Sequence, residues 1–149
     1  DGEHNLDWAE MLHNIGLVYL ETGEYDKAKE NLELALKIRQ EVRGQDHTEV
    51  AESQNDLALL YTRMGVFGKA LPLYQSALKI RTNGLDPRHT EVADTLHDMG
   101  VLYHKCGEKD KARECFSQAL EIRVEKRGAN SEDALDTKKC MEALEHEIG

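Results

Sequence analysis

Proline is almost missing from this chain: only Pro72 and Pro87 occur in 149 residues. A proline inside a helix removes an amide and clashes with the preceding turn, so its scarcity leaves room for long helices. Aromatic residues make up only 5%, which points to a core of small aliphatic contacts. No apolar run approaches the roughly 18 residues of a membrane span; LALLY at 57–61 is among the longest. No secretory leader pattern opens the chain, which does not begin with Met. Cysteines are few and odd in number, Cys106, Cys115 and Cys140. They lack metal-type pairing and read as reduced thiols, used as small hydrophobes in a cytoplasmic protein. Bases are in deficit, 19 against 29 acids, for a net charge of −10. Such a field repels phosphate backbones and anionic lipid, so neither nucleic acid nor membrane is an expected partner.

Catalytic patterns are missing as well. There is no glycine-rich phosphate loop, no Ser/His/Asp order and no recognisable nucleophile context. Carboxylates abound, but that is background where 32% of residues are charged. His97 and His104 could lie near one face, with His13 two blocks away, yet no third and fourth ligand accompany them. These histidines are expected to be exposed polar groups. The chain is therefore expected to be no enzyme, with no cofactor and no metal.

What is present is repetition. HTEVA occurs at 47–51 and again at 89–93, and Ala9, Ala51 and Ala93 open three similar blocks with a period of 42. At that period Tyr19, Tyr61 and Tyr103 coincide, as do Gly23, Gly65 and Gly107. So do Ala28, Ala70 and Ala112; Ala35, Ala77 and Ala119; Ile38, Ile80 and Ile122; and Arg39, Arg81 and Arg123. Gly16, Ala58 and Gly100 share a small-residue position. Each block reads as two helices, A and B. Leu12, Ile15, Gly16 and Tyr19 fall on one face of a first helix A, and Gly23 ends it through positive φ. Helix B follows with Ala28, Leu32, Ala35, Leu36 and Val42. The small residues let paired helices approach closely. HTEVA is the start of helix A: His47 or Thr48 caps free amides, while Glu49 and Glu52 favour the positive helix end. Pro72 is placed within about the first turn of its helix, where the missing amide costs little.

The spacing Leu12-x2-Ile15-Gly16-x2-Tyr19 followed by Ala28-x3-Leu32 resembles the tetratricopeptide repeat, as does Leu96-x2-Met99-Gly100-x2-Tyr103 followed by Ala112-x3-Phe116. The usual period is 34 residues. The longer unit here looks like the repeats of kinesin light chains and nephrocystin-type proteins, on the stretches GQDHTEVA at 44–51, NDLALLY at 55–61 and ALPLYQSALKI at 70–80. Departures are Gln54, where Leu12 and Leu96 stand, and the Gly84-Leu85-Asp86-Pro87 linker. The resemblance implies an all-α, right-handed α-solenoid of three helix-turn-helix units, as a single domain over 1–149. Repeats are expected at about 9–50, 51–92 and 93–134, with a C-terminal capping helix at about 131–147. Lys138, Glu142 and Glu145 replace the packing classes there, while Ala134, Met141, Leu144 and Ile148 keep an apolar stripe.

It also implies a concave, peptide-binding face built from helix A. The residues expected on or beside it are Glu10, His13 and Leu17; Glu52, Asn55, Asp56, Leu59 and Arg63; Asp94, His97, Asp98, Val101, His104 and Lys105; and Lys139. One rim is acidic and the middle row apolar, so the expected partner is a protein or peptide with basic and apolar residues. Some tetratricopeptide domains clamp acidic chaperone tails through Lys, Arg and Asn. The matching sites here are His13, Leu17, Asp56, Asp94 and Asp98, so that clamp is absent. The acidic, tryptophan-containing cargo of kinesin light chains fits this face poorly too. The expected function is an adaptor or scaffold module. The alternative is a structural or self-associating segment of a larger protein, without peptide specificity.

Overall fold

The structure is a computed structural model that describes residues 2–147. These form seven α-helices and, among the described residues, no strand. In order they are α1 Gly2–Thr22, α2 Tyr25–Arg43, α3 Thr48–Met64, α4 Phe67–Gly84, α5 Thr90–Lys105, α6 Lys109–Arg127 and α7 Glu132–His146. The all-α fold class expected from the repeat is the one observed. The helices fall into two compact units, Asp1–Ile80 and Arg81–Gly149, with the division inside α4. In the first unit α1 packs on α2 and α3, and α2 packs on α3. In the second, α5 packs on α6 and α7, and α6 packs on α7.

Helix ends follow the local chemistry. Gly23, Gly65 and Gly107 sit at φ 81°, 79° and 80°, a left-handed conformation that closes each A helix. The Nδ1 of His47 accepts from the Glu49 amide at 3.0 Å, and the Nδ1 of His89 accepts from the Glu91 amide at 3.1 Å. At the third junction Ser131 Oγ takes over, accepting from the Ala134 amide at 3.2 Å. Two boundaries differ from expectation. Helix α1 begins at Gly2, well before Ala9, because nothing in HNLDW breaks a helix. Helix α4 begins at Phe67, so Pro72 is its sixth residue and lies beyond the first turn. Its missing amide would have met the Gly68 carbonyl; both residues are exposed, so water can serve that carbonyl instead.

Packing is built on the repeated small residues. Ala28, Ala35, Ala70, Ala77, Ala112 and Ala119 are all fully buried. A Cβ added at Gly16 would stand 2.7 Å from Leu32 Cγ, and one at Gly100 would stand 2.6 Å from Phe116 Cε1. Each glycine is thus the seat of the large side chain on the paired helix. In the first unit Val50, Ala51, Ala77 and Ile80 form one cluster with Leu36. In the second, Ala112, Phe116 and Leu144 cluster with Val101, Tyr103, Cys140 and Met141. Leu144 and Met141 therefore turn the stripe of α7 toward the third repeat, as expected; Ile148 lies outside the described residues. Each of the three repeated tyrosines has a lysine beside its ring. Lys27, Lys69 and Lys111 lie 5.5, 5.6 and 5.7 Å from the ring centres of Tyr19, Tyr61 and Tyr103. Ala112→Leu should cost about 1–3 kcal/mol, because the added volume has nowhere to go. A thermal melt unchanged from the parent chain would contradict this packing account.

Candidate functional site

Three arginines at the 42-residue period organise the surroundings of the expected binding face. Arg39 Nη1 donates to the Glu49 carbonyl at 3.2 Å, to Ser53 Oγ at 2.9 Å and to Glu52 Oε1 at 3.0 Å. Arg81 Nη1 donates to the Glu91 carbonyl at 3.1 Å and to Thr95 Oγ1 at 2.9 Å. Arg123 Nη1 donates to the Asp133 carbonyl at 3.1 Å and to Thr137 Oγ1 at 2.8 Å, while its Nη2 reaches Asp94 Oδ1 at 3.0 Å. Each arginine ends a B helix and clamps the first turns of the next A helix. The signal was in the sequence: Ser53, Thr95 and Thr137 recur at the same period. All three hydroxyl residues are fully buried.

The histidines depart from expectation. His13 and His97 are 3% and 8% exposed, so they are buried and not open groove residues. Helix α3 covers His13, whose Nε2 lies 2.8 Å from Asp56 Oδ2 and 3.5 Å from Glu52 Oε1. Helix α7 covers His97, whose Nδ1 is 3.0 Å from Thr137 Oγ1 and whose Nε2 is 3.4 Å from Asp136 Oδ2. Phe116 packs edge-on against the His97 ring at 5.5 Å. Burial, with the nearby Arg123 charge, holds His97 below its ordinary pKa despite Asp136, Asp94 and Asp133. Spacing puts these residues on helix A but does not show how far the following A helix overlaps that face.

The remaining expected residues divide by unit. In the first, Glu10 and Arg63 are exposed; Leu17, Glu52, Asp56 and Leu59 are half-buried; Asn55 is buried. Arg63 pairs with Glu21 at 3.3 Å, a surface pair. In the second, Lys105 and Lys139 are exposed, and Asp94, Asp98, Val101 and His104 are half-buried. Val101 joins the cluster containing Leu144, so it helps join α5 to α7. His104 Nε2 meets Glu147 Oε1, which holds that carboxyl below its usual range. Glu52 and Asp94 have a structural task as partners of buried arginines.

The first unit also carries a cleft of about 380 Å³ that sequence reading missed. Glu3, Asp7 and Glu10 of α1 and Glu49 and Glu52 of α3 surround Arg39 and Arg43 of α2. Arg43 Nε already holds Glu49 Oε2 at 3.0 Å. Carboxylates outnumber guanidiniums there, which leaves the cleft negative. No helix is long and apolar enough to cross a membrane among the described residues.

Comparison with known proteins gives a consistent picture. The tetratricopeptide repeat family model matches residues 8–83 and again 60–125. The structure of BtubC (BKLC) from P. vanneervenii superposes with a TM-score of 0.81 at 29% identity, over 91% of this chain and 54% of that one. The nearly identical TPR-like repeats of a P. anserina protein described as a kinesin light chain give 0.85 at 21% identity, over 95% and 67%. The apo form of RapI gives 0.78 at 19% identity, over 95% and 38%. This chain thus spans about half the length of the BtubC structure. A comparison with curated sequences gives no significant match.

Proposed function

The chain belongs to the tetratricopeptide repeat family, of the kinesin light chain type, and from that premise we propose that it is a cytoplasmic interaction module. It would work as an adaptor or scaffold for a protein segment bearing basic and apolar residues, with no chemistry of its own. The observation that carries this reading is the negative cleft of the first unit. Glu3, Asp7 and Glu10 are exposed along α1, so a lysine or arginine of a partner can reach them without breaking the Arg39 clamp. Half-buried Leu17 and Leu59 offer apolar contact on the same two A helices. Such a segment would lie along helix faces rather than insert into a deep pocket. The free thiols Cys106, Cys115 and Cys140 fit a reducing compartment.

A peptide array read with the labelled chain tests the proposal. Binding should concentrate on segments with paired basic and apolar residues, and Glu10→Lys should weaken the best of them at least tenfold. Binding that ignores peptide charge, or is unaltered by Glu10→Lys, would sink it. A second reading has one observation in its favour. Trp8, Met11, Ile15 and Val18 make an apolar stripe along α1, with Val18 62% exposed. The repeat-equivalent Val50, Ser53, Leu57 and Leu60 are all buried. If the stripe drives self-association, light scattering will show a dimer that Val18→Glu dissolves.

A further inference from the structure

We propose that His97, Asp136 and Cys140 form a site for one divalent cation of borderline softness, of the Zn²⁺ or Co²⁺ kind. One nitrogen, one carboxylate oxygen and one sulfur lie within 4.8 Å of one another. Tetrahedral bonds of about 2.0–2.3 Å place ligand atoms roughly 3.3–3.8 Å apart. His97 Nε2 and Asp136 Oδ2, at 3.4 Å, already have that separation, and the sulfur lies within 4.8 Å of the other two donors. Asp136 and Cys140 are one turn apart on α7, so both reach the same side of it.

The hydrogen bonds around His97 suit a ligating role for its Nε2. Thr137 Oγ1 has one hydrogen and three neighbours. Arg123 Nη1 donates to it at 2.8 Å, and its own proton goes to the Asp133 carbonyl at 3.2 Å. In the tautomer with Nδ1–H donating to Thr137, the Nε2 lone pair is free to take a cation beside Asp136; in the other tautomer Nε2–H donates to Asp136 Oδ2. The Thr137 contact also orients the ring, as an outer hydrogen bond does for a ligating histidine. Burial raises the Cys140 thiol, with Asp136 and Asp98 adding to the rise and Arg123 opposing it. Binding must therefore displace that proton. The Arg123 charge nearby and a fourth position left to water make the site weaker than a closed four-ligand one.

The first unit shows what makes the second distinctive. Asp56 stands two periods before Cys140, so His13 meets only carboxylates where His97 meets a carboxylate and a thiol. Cys140 converts a hydrogen-bonded junction between A helices into a mixed donor set.

Titration of the chain with Co²⁺ tests the site. A thiolate-to-cobalt charge-transfer band should grow in the near ultraviolet and be displaced by Zn²⁺. It should disappear in Cys140→Ser and persist in Cys106→Ser. Asp136→Asn, at an exposed position whose change leaves packing intact, should weaken Co²⁺ binding at least tenfold. No band at excess Co²⁺, a band surviving Cys140→Ser, or Co²⁺ affinity unaltered in Asp136→Asn would each overturn the assignment.

Discussion

Phe116→Ala should cost about 3–5 kcal/mol, the largest loss expected from any single truncation in the second unit. The side chain is fully buried and is one of the two largest such groups in the described chain. Its ring fills the space that the absent side chain of Gly100 leaves open, touches the cluster of Ala112 and Leu144, and supports His97 edge-on. Removing it opens a hole where α5, α6 and α7 meet, and rigid helices cannot close such a hole by local relaxation. Phe116→Leu should cost much less, because Gly16 with Leu32 is the same pairing in the first repeat. Urea unfolding of both variants measures the difference. Equal losses for Ala and Leu would mean that the ring is not the wedge described here.

Arg123→Met should be the second most costly change, at about 2–4 kcal/mol. Methionine retains much of the apolar stem but removes the guanidinium hydrogen bonds to the Asp133 carbonyl and to the buried Thr137 hydroxyl. It also removes the partner of Asp94. Asp94 is half exposed and can return to water, so its share of the loss is small. The larger share comes from the two groups at the start of α7. Arg123→Lys should recover little, since an ammonium lacks the fork that reaches Thr137 and Asp94 from separate nitrogens. Denaturation curves in which Met matches the parent would show that the clamp contributes no stability.

These two predictions mark the limits of sequence reading in different ways. The Phe116 role follows from the register: a glycine at 100 and an aromatic at 116 occupy the same repeat positions as Gly16 and Leu32. The Arg123 role was visible only as a recurrence. Arg39, Arg81 and Arg123 stood out as identical, but an arginine near a helix end usually serves the helix dipole in solvent. That they turn inward to buried hydroxyls in the next block required the fold. The histidines show the same limit from the other side. Three-and-four spacing placed His13 and His97 on helix A and assigned them to an open face, yet the following A helix covers both.

The sequence by itself determined the helices, their glycine ends, their histidine caps and the pairing of small residues with large ones. All of these depend on residues within a few turns of one another or on the period of 42, and both are written linearly in the chain. Tertiary structure alone decided which side of each A helix stays open, which acids are committed to buried arginines, and which thiol stands beside an imidazole. Those outcomes depend on how far one helix overlaps the next, and that overlap is set by packing between helices, which no local pattern encodes.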